Sequence, residues 1–153
     1  MSASISTFTK RYYQWSDSLK YFSSISLLAA RFYMAWVFFK SGLTKIQDWD
    51  TTLFLFEEEY SVPLLNYEVA AFLATAGELV LPVLLVLGLA TRFSAVGLFV
   101  VNVVAVISLE EIAPAALYLH YLWGILLLQV MVWGSGLLAA DTYLSRKLNS
   151  GLR

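Results

Sequence analysis

The chain has no cysteine, few charges and a single histidine. The lack of cysteine excludes disulfides, thiolate metal sites, cysteine-ligated iron–sulfur clusters and any dithiol relay within its 153 residues. Charged residues make up 14% of the sequence, against roughly 25% in a soluble domain. Ten Lys and Arg against eleven Asp and Glu leave a net charge of −1, so there is no basic footprint for nucleic acid. No Gly-rich phosphate loop, Gly-x-Ser-x-Gly elbow or His-Glu-x-x-His pattern is present. One His without Cys or a spaced acidic partner falls short of a metal site.

What fills the chain instead is apolar and aromatic surface, 59% of residues, with a mean hydropathy of +0.71. It is gathered into runs near the ~20 residues that cross a hydrocarbon core. Spans are predicted at about 22–42, 69–90, 93–109 and 115–134. Backbone groups in lipid must be satisfied within their own segment, so the runs are helices. The expected fold is all-α: a transmembrane four-helix bundle over residues 22–141, with a cytoplasmic tail at 142–153.

Residues 1–21 have no continuous apolar core of a signal peptide. Ile5, Phe8, Tyr12, Trp15, Leu19 and Phe22 recur at alternating spacings of three and four. That stripe predicts an amphipathic helix lying at the membrane interface. The long first connection predicts a short interfacial helix over 51–60, capped by Asp50 and closed by Pro63. The second connection is so short that its flanking helices must be antiparallel neighbours, with Gly88 ending one and Thr91 capping the next.

Lys10, Arg11, Lys20, Arg92, Arg146, Lys147 and Arg153 fall on one side of the predicted spans, and Lys40 and Lys45 on the other. The positive-inside rule then places both termini in the cytoplasm. Asp48, Asp50, Glu57, Glu58, Glu59, Glu68, Glu110 and Glu111 all land outside, giving an acidic outer face on which a protein partner can dock. Self-association of the bundle is left open.

Polar groups inside spans are expensive and mark either pairing or function. Each predicted span carries one: Arg31, Glu78, Asn102 and His120. At ~1.5 Å per residue they lie roughly 13–21 Å from the cytoplasmic side. They are therefore expected to converge, with Arg31 paired to Glu78, and Asn102 and His120 completing a polar network. The competing reading of an Arg31–Glu78 pair is structural, an ion pair that only joins two helices. His120 lies in Leu-Tyr-Leu-His-Tyr-Leu-Trp; a lone His is most often a packed, hydrogen-bonded residue, but it can also shuttle protons. Tyr118 and Trp123 are candidate walls of an apolar pocket.

Several short motifs, in order, resemble the DoxX family of small bacterial four-helix membrane proteins. They are Arg31 in the first span, Lys40-Ser41-Gly42-Leu43-Thr44-Lys45-Ile46 at its end, Gly77-Glu78 in the second, and Leu87-Gly88-Leu89-Ala90-Thr91-Arg92 at the turn. The last is Gly134-Ser135-Gly136-Leu137-Leu138-Ala139-Ala140-Asp141, with Ser135 where the family often has Pro. The resemblance covers about 27–141. It implies a multi-pass protein of the bacterial inner membrane, similar to membrane subunits of thiosulfate:quinone oxidoreductases or to scaffolds for redox and detoxification partners.

Three readings follow. In a quinone-linked redox subunit, Glu78 and His120 exchange protons or bond the quinone. Arg31, Asn102, Lys45, Tyr118 and Trp123 then bind and flank it. In a non-catalytic anchor or assembly factor, the polar core is architecture alone. A small-solute carrier would use Arg31 and Glu78 at midplane, but four spans without an internal repeat are few for alternating access.

Overall fold

A computed structural model describes residues 2–151, with side chains described at Trp15 and Leu19 and from Tyr21 to Ser150. Six helices occur in these residues: α1 (Ser2–Gln47), α2 (Trp49–Glu58), α3 (Tyr67–Leu87), α4 (Thr91–Ile107), α5 (Pro114–Trp133) and α6 (Ala140–Gly151). The expected all-helical fold is borne out.

Helices α1, α3, α4 and α5 form the bundle. Helix α1 packs on α3 and α5, and α4 packs on the same two, so α1 and α4 stand diagonally across the bundle. The core follows helical periodicity. Leu27, Ala30, Met34 and Phe38 of α1 meet Leu85 of α3, Ala95 and Leu98 of α4, and Leu127 and Val130 of α5. Outward faces are also apolar: Trp36, Phe72, Phe93, Tyr121, Ile125 and Trp133 are all exposed. A fold apolar on both faces is suited to lipid rather than water.

Tyr21–Gln47, Tyr67–Leu87 and Pro114–Trp133 are long and apolar enough to cross a membrane. Helix α4 has 17 residues, the length of the predicted third span, ~25 Å at ~1.5 Å per residue, but it begins and ends two residues earlier, with Ser108 as its C-cap.

Helix α1 runs unbroken through the segment expected to be interfacial and on through the first predicted span. Of the expected stripe, Ile5, Phe8 and Tyr12 lie outside the described side chains, while Trp15, Leu19 and Phe22 are exposed. Helix α1 also runs past the predicted end at 42, since Leu43-Thr44-Lys45-Ile46-Gln47 contains no breaker. Helix α2 starts earlier than expected. Asp48, not Asp50, is its N-cap, and its carboxylate accepts from Thr51 N and Thr51 Oγ1 at 3.0 and 2.7 Å. These bonds hold the exposed Asp48 carboxyl below its ordinary value. Helix α2 packs on α3 and α1, with Phe56 buried against Ala70 and Ala71.

Candidate functional site

The expected convergence of polar groups does not occur. The bundle separates them into three clusters, and Arg31 does not pair with Glu78.

Arg31 is almost fully buried and spends its guanidinium on backbone carbonyls. Nε donates to Leu85 O (2.8 Å) and Nη2 to Val86 O (2.7 Å); Nη1 donates to Ser135 O (2.9 Å) and Leu138 O (3.0 Å). The last carbonyls of a helix have no intrahelical donor and carry the negative end of its dipole. Arg31 therefore caps the end of α3 and ties it to the segment after α5. Gly88 makes room for this. It sits at φ +69°, and an added Cβ would lie 2.6 Å from Arg31 Nη2 and 2.5 Å from Ala139 Cβ.

Asp141 completes the clamp from the other side. Its carboxylate accepts from Ala90 N (2.9 Å) and Thr91 N (2.8 Å), and its own N–H donates to Gly88 O (2.8 Å). This corrects the expected cap: Ala90 is the N-cap of α4, at φ 46°, and makes no side-chain cap bond. The donors come instead from a turn 50 residues away from the acid that receives them. Burial pushes the Asp141 carboxyl up, but the Thr91 and Ala90 donors and the nearby Arg31 outweigh it and hold it below the ordinary range.

The second cluster joins α4 to α5. Asn102 Nδ2 donates to the His120 carbonyl (3.0 Å), which leaves Asn102 Oδ1 to accept from His120 Nδ1 at 2.8 Å. The neutral ring then carries its proton on Nδ1 and offers Nε2 as an acceptor. Trp123 stands edge-on to His120, with centroids 4.8 Å apart, and its Nε1 donates to Tyr33 Oη over a long 3.4 Å. Tyr118 is exposed and takes no part.

The third cluster lies at the α2 end. Lys45 Nζ donates to Glu78 Oε2 at 2.7 Å and to Ser41 Oγ at 2.9 Å. Glu78 is 8% exposed and Lys45 21%. Gly42 brings α1 and α3 together here, since a Cβ at that position would lie 2.9 Å from the Leu79 side chain and 3.1 Å from Glu78 Cβ. Both residues border one cavity, and Lys45 borders a second. The first, about 250 Å³, is mainly apolar, and Tyr60, Val101, Val104 and Ser108 are among its walls. The second, about 330 Å³, lies beneath α2 and includes Ser41, Thr44, Asp48 and Thr51. Lys45, Phe56 and Tyr60 border both. Burial raises the Tyr60 phenol, and the charges of Glu59 and Glu78 raise it further, so it remains a protonated donor at neutral pH. A strap closes this end: Tyr60 bridges to Leu109, and Ser61 N donates to Ser108 O at 2.8 Å.

Ser108 is the residue that the sequence reading missed. It is 2% exposed and its hydroxyl has no partner among the described residues. An unsatisfied buried hydroxyl costs about 1–3 kcal/mol. The available signal was a single hydroxyl at the end of the third apolar run, in Ile107-Ser108-Leu109.

A family model, DoxX, matches residues 26–111. The chain belongs to the DoxX family. A protein of Haemophilus influenzae, described as uncharacterized, is 32% identical over 133 residues, which cover 81% of this chain and 86% of that protein. No solved structure matches. The DoxX match takes in Arg31, Lys45, Glu78, Asn102 and the α3–α4 turn, and ends before His120 and Asp141.

Proposed function

We propose that this DoxX protein is a quinone-binding membrane subunit, with its site in the apolar cavity at the α2 end. The observation that carries the reading is the Lys45–Glu78 pair on the wall of an apolar cavity, with Lys45 also bordering a second cavity lined by Ser41, Asp48 and Thr51. Pockets for drug-sized ligands occupy roughly 300–1,000 Å³. A cavity of about 250 Å³ suits a ring headgroup without its tail.

The donor set fits such a ring. An ammonium has three N–H donors; Lys45 uses two, on Glu78 and Ser41, and the third is available to a carbonyl oxygen. Glu78 holds the lysine in place. Phe56, Val101 and Val104 supply apolar walls. A quinone, when bound, would supply two-electron, two-proton redox chemistry. The chain's part is to hold the ring, with Lys45 Nζ donating to one of its carbonyl oxygens and Glu78 fixing the lysine's position.

In this reading Lys45 and Glu78 carry the site, while Arg31, Asn102 and His120 hold helices together. The exposed acids Glu57, Glu58, Glu59, Glu68, Glu110 and Glu111 lie on α2, the start of α3 and the connections at the same end, and offer a docking face for an electron-donating protein. The protein sits in the cell inner membrane, with α4 completing a fourth crossing and both termini cytoplasmic. The test is to purify it in lipid nanodiscs, extract bound quinone, and titrate a short-tailed quinone. Saturable binding, weakened about tenfold or more by Glu78→Gln and by Lys45→Met, is expected. His120→Ala should leave it unchanged. Wild-type protein that neither carries nor binds quinone overturns the reading.

One observation favours the second reading, a non-catalytic anchor. The family-like residues Arg31 and Asp141 spend four guanidinium N–H groups and both carboxylate oxygens on backbone groups of other helices and turns. A stoichiometric protein partner and an empty cavity would support it.

A further inference from the structure

The basic end of the bundle holds a cavity of about 550 Å³ that the quinone reading does not use. It lies at the end of α3 remote from α2, where the α3–α4 turn meets the segment between α5 and α6. Most of its polar groups are already occupied. Thr142 Oγ1 donates to Gly136 O at 2.6 Å, Ser135 Oγ lies 3.1 Å from that hydroxyl, and Ser145 Oγ donates to Thr142 O at 3.0 Å. Asp141 gives both carboxylate oxygens to Ala90 N and Thr91 N.

Arg92 is the exception. Arg31 makes four bonds to carbonyls at 2.7–3.0 Å, whereas Arg92 makes one, from Nη2 to Val132 O, at 3.3 Å. A guanidinium has five N–H donors, so four are left without an acceptor among the described residues. No carboxylate pairs with it there either; the ion pair among those residues is Lys45–Glu78. The group is nonetheless held in place. It lies against the Gly134 backbone, where an added Cβ would come within 3.3 Å of Arg92 Nε. Capping the end of α5 accounts for one weak bond and leaves most of the fork unused.

The surroundings say what the fork meets. Phe93 and Trp133 line the same cavity and are 67% and 65% exposed, at the ends of helices whose outer faces are apolar. Exposed aromatic rings at span ends sit at headgroup level in a bilayer. Helix α6, which supplies another wall, is exposed from Tyr143 to Ser150. Leu144 and Leu148 share a face one turn apart, and Arg146 and Lys147 fall between them in sequence, the pattern of a helix resting on an anionic surface. A forked guanidinium matches phosphate oxygens in geometry as well as charge.

We propose that this cavity binds the headgroup phosphate of an anionic phospholipid, with Arg92 on the phosphate, Phe93 and Trp133 beside the acyl chains, and α6 on the surrounding headgroups. The inference is independent of the quinone reading.

The experiment uses the full chain in detergent. Native mass spectrometry follows titration with phosphatidylglycerol, with phosphatidylcholine of the same acyl chains, and with inorganic phosphate. One basic residue near an anionic surface is worth about fivefold in binding. Wild type should hold phosphatidylglycerol about tenfold or more tighter than phosphatidylcholine, and Arg92→Gln should cut that preference at least about fivefold. Arg146→Gln with Lys147→Gln should cut it less than Arg92→Gln does. Inorganic phosphate should not displace the lipid, because it lacks the chains. A second measurement needs no variant: phosphatidylglycerol with a diazirine in its headgroup should label wild type at residues 90–93 and 133–145. Equal binding of the two lipids by wild type, or labelling confined to other segments, overturns the proposal. So does a preference that survives Arg92→Gln or depends mainly on Arg146 and Lys147, which is diffuse surface attraction. Displacement by inorganic phosphate overturns the lipid as occupant.

Discussion

A lysine and a glutamate taken out of water each lose hydration worth several kcal/mol, and their attraction offsets that loss only while both are present. This makes Lys45 and Glu78 a sensitive pair. Removing one partner leaves an uncompensated buried charge, at a cost of about 3–5 kcal/mol, whereas replacing both with apolar residues of similar size costs little. Exchange of charges is the sharper test. Lys45→Glu combined with Glu78→Lys should restore folded protein lost in either single variant, measured as the monodisperse fraction in detergent. Arg31→Glu combined with Glu78→Arg should restore none, because Arg31 serves carbonyls. The sequence suggested the second pairing for a physical reason: Glu78 is the one carboxylate within the predicted spans, and Arg31 keeps its charge when buried. Backbone carbonyls occur at every position, so no sequence pattern marks those an arginine will cap. Lys45 was placed in a loop because the span was ended at Gly42. The glycine is instead a contact point that lets α3 approach, and the helix runs on to Gln47.

At the scale of the element, the α3–α4 turn is held by residues from two other helices. Arg31 of α1 neutralises the end of α3, and Asp141 of α6 receives the first N–H groups of α4. The periodicity that fixes α3, α4 and their antiparallel pairing was legible in the sequence, and so was Gly88 as the helix end. The cap was not, since the nearby Thr91 is the usual residue type for it and the acid used lies far along the chain. Asp141 gives the turn a pH dependence with a definite sign. Its carboxyl is depressed in the folded state, against about 3.9 unfolded. The stability it contributes is therefore complete above about pH 3.9 and is lost as pH falls through the lower folded value. Asp141→Asn should lower stability at neutral pH by about 1–2 kcal/mol, the worth of charge-assisted bonds to backbone N–H. Thermal unfolding followed from pH 7 downward should show the wild-type and Asp141→Asn midpoints converging in that acidic window. Curves that stay parallel would separate Asp141 from the clamp.

For the whole molecule, the absence of cysteine that restricts its chemistry also makes its orientation measurable. The bundle has one end with Arg92, Arg146 and Lys147 and another with Glu57, Glu58, Glu59 and Glu68. Basic residues are retained on the cytoplasmic side of short connections, whereas acids contribute little to orientation. The three candidate spans alone would put the ends of the chain on opposite sides. In the proposed topology helix α4, although only 17 residues long, makes the fourth crossing. It turns back from α3 within three residues and packs on both α3 and α5, as a returning span would. A ~25 Å helix is a few ångströms short of the ~30 Å core, a mismatch that local thinning of the bilayer accommodates at modest cost. Single cysteines introduced into the cysteine-free chain test this directly. Ser145→Cys, in exposed α6, should react with a membrane-impermeant maleimide only after cells are lysed. Glu58→Cys, at the end of α2, should react in intact cells whose outer membrane has been permeabilised. If both sites label from the same side, α4 does not cross, and the acidic face with its cavity opens to the compartment that holds the C-terminal helix.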